Sequence, residues 1–153
     1  MQNQPSIFND VIGPVMRGPS SSHTAASWRV AMMAVQMLDD DLAKAYIEFD
    51  KDGQWATNYR EQGTVLGMNG GLLKIDMADD QMKNTEAIAT ERGIDIQYAI
   101  TSFENNHPNS MQLSLNSTKD ATEEKGKAFS PPEIIGMIGF TWFTFSTFVK
   151  LEM

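Results

Sequence analysis

The stretch from Ala25 to Leu38 constrains the fold most. Trp28, Met32 and Val35 recur three or four residues apart on one face of a helix, and Val30, Met33 and Met37 on another. A helix that is apolar around most of its circumference has to be covered on most sides by other elements. Asp39, Asp40 and Asp41 follow it, and acids at a helix C-terminus oppose the macrodipole. The helix is therefore expected to stop at or before Asp39.

The covering elements can be read downstream. "AKAYIEFD" alternates Tyr46 and Glu48 against Ala45, Ile47 and Phe49, the pattern of a half-buried strand. Asp52-Gly53 marks a turn after it. Thr57 to Leu73 has helical character but holds Gly63, Gly67, Gly70 and Gly71. Each interior glycine costs about 1 kcal/mol against alanine, so they call for close packing or for backbone that approaches a ligand. "ADDQMKNTEAIATERG" reads as a turn and a helix, with Asn84 as its cap and Gly93 as its stop. Ile94, Ile96, Tyr98 and Ile100 alternate along one strand, and Met111, Leu113 and Leu115 along another. The order helix, strand, helix, helix, strand, strand predicts an α/β (α+β) sandwich with helices packed on one mixed sheet.

At 153 residues the chain suits one globular domain. We place that domain at 1–118, a charged and Pro-rich loop at 119–132, and an atypical apolar tail at 133–153. Ile134 to Val149 carries no charge but is shorter than the roughly 20 residues of a membrane span, and Phe143 and Phe145 alternate with Thr144 and Ser146 as in a strand. The formal charge of −8 argues against a nucleic-acid partner. No cysteine is present, which excludes a disulfide framework or a thiolate metal site from this chain alone. The first ten residues have no basic segment leading into an apolar one, so a cytoplasmic location is expected and no membrane association.

Three polar stretches could carry chemistry. In "GPSSSHT" (Gly18 to Thr24), three serines, a threonine and one of two histidines sit where a helix begins. Helix N-termini present unpaired N–H groups, and hydroxyls there can cap the helix or donate to an anion. Arg17 adds a positive charge nearby, and His23 could serve as a base at neutral pH. Two readings stand: an N-cap at Ser22 or Thr24 with a surface histidine, or an anion site beside a base. "YREQGTVLGMNGG" (Tyr59 to Gly71) mixes its glycines with Arg60, Gln62, Thr64 and Asn69, next to Asn58. It suits either tight helix packing or the wall of a small-molecule pocket. "NNHPNS" (Asn105 to Ser110) holds the other histidine among turn-forming residues.

Together these stretches resemble the β chain, or β domain, of iron–sulfur L-serine dehydratases. That family carries a "GPSSSHT" signature, a "GHGT…GLLG" segment and an "HPN[ST]" motif in this order. The resemblance runs from about Ser6 to Leu115. It implies conversion of L-serine to pyruvate and ammonia without pyridoxal phosphate. In the family a 4Fe-4S cluster with one iron lacking a cysteine ligand acts as Lewis acid, and a base removes the α-proton. By this resemblance His23 is the base. Ser20, Ser21, Ser22 and Thr24 position it or hold the substrate carboxylate. Gln62, Thr64 and Asn69 line the substrate site, and His107 and Asn109 sit near it. The cluster would come from a cysteine-bearing α chain. The fold implied is shared with an allosteric substrate-binding domain of some phosphoglycerate dehydrogenases, and a homodimer is compatible with it.

Two positions depart from the family. Gln62 stands where the family often has histidine, and an amide cannot move a proton at neutral pH. The tail replaces the family's glycine-rich "S-x-GGG" segment, as a natural variant or a truncated or frame-shifted end would. Besides an enzyme component, the same features fit a serine- or carboxylate-binding module, or an incomplete fragment carrying the motifs.

Overall fold

A computed structural model describes residues 15–38, 40–103 and 110–119 in full, and the strand backbone of 137–141 and 144–148. Helix α1 (Ala26–Gln36) leads into strand β1 (Leu42–Asp50), then helices α2 (Thr64–Leu72) and α3 (Thr85–Glu91), then strands β2 (Asp95–Thr101) and β3 (Met111–Ser117). This is the expected order of elements, and the fold is α+β with three helices packed on one mixed sheet. Strand order is β2-β1-β3, with β1 parallel to β2 and antiparallel to β3.

Register explains the core. Ala45, Ile47 and Phe49 lie opposite Leu115, Leu113 and Met111 on one side and beside Ile96, Tyr98 and Ile100 on the other. Side chains of one strand parity point to one face, so these residues form a single apolar surface. Val30, Ala31 and Val35 of α1 and Met68 and Leu72 of α2 pack onto it. Ile100 departs from the expected pattern: it lies at the end of edge strand β2 and is 51% exposed.

Glycines set the approach of α1 to α2. A Cβ on Gly67 would lie 2.0 Å from the Thr24 carbonyl oxygen, and one on Gly71 2.3 Å from that of Trp28. Close packing, not a ligand, accounts for these two. Gly93 (φ +69°) ends α3 as expected, but Asn84 makes no side-chain cap. Instead Asp79 caps a 3-10 turn (Asp80–Asn84), accepting from Gln81 N at 2.8 Å.

Helix α1 ends before Asp39, as the acids predicted. Residues 137–141 and 144–148 form strands β4 and β5 of an antiparallel hairpin, with Phe140 opposite Phe145. The tail thus forms strand, as its alternation implied, although Phe143 and the 120–132 loop lie outside the described residues. Among the described residues no helix is long and apolar enough to cross a membrane.

Candidate functional site

The helix expected from Ala25 begins earlier, in a different geometry. Ser21–Ala25 forms a π-helical turn, in which the Ala26 N–H reaches back to the Ser21 carbonyl. Such wide turns are often found at functional sites, because the extra residue reorients side chains. Ser20 occupies the N-cap position with extended backbone (φ −141°, ψ 125°) but its hydroxyl caps nothing. Neither Ser22 nor Thr24 is the cap that one reading anticipated. The Ser20 and Ser22 hydroxyls both lie 3.2 Å from His23 Nδ1, and 3.1 Å from each other. The Ser20 and Ser22 hydroxyls therefore serve the imidazole, not the helix end.

His23 is half-buried, with Ser22 exposed beside it. Its Nε2 is inaccessible and has no hydrogen-bond partner. Burial holds the imidazole below its ordinary pKa, and the adjoining Asn58 side chain partly opposes this. A histidine so placed stays neutral, and able to accept a proton, over a wider pH range than a free one.

Thr24 faces the other way. It is fully buried, its hydroxyl donates to the Gln62 carbonyl at 3.2 Å, and it fills the space where a Cβ on Gly18 or Gly63 would sit. Gly63 starts α2 with φ +81°, a left-handed backbone that favours glycine. Ser27, one turn on, donates to the carbonyls of Thr24 at 3.2 Å and Thr64 at 2.9 Å. These bonds clamp the π-helical turn against the start of α2. Aromatic contacts hold the preceding segment to the sheet: Phe49 meets Trp55 edge-on at 6.0 Å and Tyr59 at 5.2 Å. Asn58 lies between those two anchors.

Arg17 does not supply the anion-binding charge. Its Nε donates to the Ala78 and Asp79 carbonyls at 3.1 Å each, and its guanidinium pairs with Asp80 at 2.7 Å. It ties the entry to the π-helical turn onto the 77–80 loop.

The predicted site residues therefore divide. Ser20, Ser22 and His23 come together, with exposed Ser21 in the same turn. Gln62 meets not this group but Thr24, through its backbone carbonyl. Thr64 is fully buried with an unpaired Oγ1. Asn69 points elsewhere: its Oδ1 accepts from the Tyr98 hydroxyl, and both line a separate cleft of about 280 Å³ with Arg60 and Glu86. His107 and Asn109 lie outside the described residues.

The chain is 36% identical over 121 residues to the probable L-serine dehydratase β chain of Bacillus subtilis (strain 168), covering 79% of this chain and 54% of that protein. It is 32% identical over 105 residues to the L-serine dehydratase β chain of Peptoniphilus asaccharolyticus, covering 68% of this chain and 46% of that protein. Over most of its own length the chain is thus similar to L-serine dehydratase β chains. It spans about half the length of these curated relatives. No protein-family profile matches it.

The described residues offer little to hold a metal ion with. The chain carries no cysteine, and among the described residues no group of three or more His, Asp or Glu side chains is placed to bind an ion. Hydroxyls and a single imidazole do not make a cluster cradle. What the turn offers is one imidazole able to accept a proton, with two serine hydroxyls beside its Nδ1.

Ser27 and Tyr98 are the residues that sequence reasoning missed. Ser27 lies inside an apolar helix, and its partner Thr64 is distant in sequence. Tyr98 was visible only as a core position of a strand. Asn58 was visible as a polar neighbour of the glycine segment, but nothing local tied it to His23.

Proposed function

We propose that this chain is the β component of an L-serine ammonia-lyase, which deaminates L-serine to pyruvate and ammonia together with a cysteine-bearing α chain. The observation that carries the reading is the His23 imidazole, kept neutral by burial and flanked at Nδ1 by two serine hydroxyls on an accessible turn. Binding a carboxylate alone calls for donors and positive charge. A neutral base at the rim suits proton abstraction next to a carboxylate.

In this reading His23 removes the α-proton of serine and the β-hydroxyl departs as hydroxide, so that one water is lost overall and one is taken up again in the hydrolysis. The product is 2-aminoacrylate, which tautomerises to the imine and hydrolyses to pyruvate and ammonia. Ser21 and Ser22 donate to the substrate carboxylate, and Ser20 orients the imidazole. Thr24, Gln62 and Thr64 keep the turn seated on α2. A 4Fe-4S cluster would belong with the α chain, since this chain has no cysteine to ligate it.

The test is anaerobic mixing of the full chain with a cluster-bearing α chain, following pyruvate release from L-serine. Turnover is expected, and His23→Ala should abolish it while leaving the far-UV circular dichroism and urea midpoint intact. Absence of turnover with a loaded α chain, or near-normal activity in H23A, overturns the proposal.

A further inference from the structure

Four buried side-chain polar atoms among the described residues lack a hydrogen-bond partner, and two of them belong to side chains that meet: His23 Nε2 and Asn58 Oδ1. Leaving either unpaired costs on the order of 1–3 kcal/mol. A neutral imidazole has one N–H and one lone pair, and an amide oxygen only accepts. A proton on Nε2 lets the two orphans satisfy each other. A proton on Nδ1 would set the Nε2 lone pair against the lone pairs of Oδ1.

We propose that Asn58 is a positioning residue that holds His23 in the Nε2–H form, so that Nδ1, between the Ser20 and Ser22 hydroxyls, is the nitrogen that accepts the proton. Access agrees. Nε2 is closed off inside the chain, whereas Nδ1 faces the hydroxyls at the accessible rim. Asn58 is held for this task. Its N–H donates to the Trp55 carbonyl at 3.3 Å, its carbonyl accepts from Gln62 N at 2.9 Å, and the flanking Trp55 and Tyr59 rings pack on Phe49. When Nδ1 takes a proton, Nε2–H keeps its acceptor, so the imidazolium forms without losing a bond. No charged side chain among the described residues contributes; burial and Asn58 are the two influences on this imidazole.

The inference rests on the proposed function only for what delivers the proton; the tautomer is a property of the chain alone. It is tested by long-range nitrogen–proton NMR of the full chain labelled with 15N-histidine. H107Q removes the other histidine and assigns the signals. Above the His23 midpoint, Nδ1 should be unprotonated and Nε2 should carry the proton. Asn58→Ala should yield a mixture of tautomers. Asn58→Asp keeps the acceptor, so it should retain the Nε2–H form and raise the midpoint by about 1–3 pH units.

A role in packing alone would not separate N58A from N58D in this way. A proton on Nδ1 in the wild type, or an unchanged tautomer in N58A, overturns the proposal. If N58A does not fold, an unshifted midpoint in N58D overturns it. Failure of turnover with an α chain would count against the proposed function and leave this assignment standing.

Discussion

Ser22 and Ser27 sit five residues apart on continuous helical backbone, and they do opposite things. Ser27 is fully buried and its hydroxyl is spent on two carbonyls across the α1–α2 contact. Ser22 is exposed and its hydroxyl is turned to an imidazole. The helix contact is finished within the chain: glycines remove the Cβ atoms that would hold α2 off, and hydroxyls satisfy the carbonyls that meet there. The rim is not finished in the same sense. His23 Nε2 and Asn58 Oδ1 are buried without a partner. A protein accepts such a cost where the groups have other work, so the contrast separates the part of the motif that builds the fold from the part left unsatisfied by it.

Substitutions on the two sides of this contrast should differ in kind. The largest effect is expected on the finished side. Gly67→Ala places a methyl group 2.0 Å from the Thr24 carbonyl oxygen and 2.3 Å from Ser27 Oγ, and backbone cannot step aside. Overpacking of this type costs about 1–3 kcal/mol, to be read as a lower urea midpoint. Because Thr24 is part of the π-helical turn, the His23 NMR signals should shift as well. An unaltered midpoint would show that α1 and α2 can separate freely.

Ser27→Ala should have the next effect, about 1 kcal/mol in the same measurement, by leaving the helix-contact carbonyls without their shared donor. A neutral result would mean that water replaces the hydroxyl and that the contact is wetter than its burial implies.

The smallest effect belongs to the rim and depends on pH. The His23 pKa in the folded chain lies below its value in the unfolded chain, about 6.5. Folding therefore favours the neutral ring. That stability is complete above the unfolded pKa and is lost as pH falls toward the lowered folded value. Between about pH 7.5 and about pH 5.5 the wild type should lose slightly more stability than His23→Gln. Equal slopes would place the ring in a fully solvated setting.

Much of the architecture was legible in the sequence, for a physical reason. Periods of 3.6 and 2 are local properties, and each mark of a core-facing surface lies within one element. Hence the order of elements, the face of β1 carrying Ala45, Ile47 and Phe49, and the end of α1 before the acids could all be read. Ile100 fits the same alternation yet is exposed, because pattern does not say that β2 is an edge strand or where its neighbour stops. The "GPSSSHT" stretch was legible as a site of interest but not in its parts, since one string of hydroxyls contains Ser22, which faces His23, and Thr24, which faces Gly63.

By itself, then, the sequence determined the kind of elements, their order, the lack of any cysteine ligand in this chain, and a family signature around His23. Only the tertiary structure decided which polar groups meet. The bond from Ser27 to Thr64 joins residues 37 apart, and that from Thr24 to Gln62 residues 38 apart. Asn58 reaches His23 only because Trp55 and Tyr59 fasten its segment to Phe49 on the sheet. Such pairings depend on how closely two helices approach, and that distance is set by the missing Cβ atoms of Gly67 and Gly71. A hydrogen bond is decided over tenths of an ångström, and no periodicity in a linear chain carries that information.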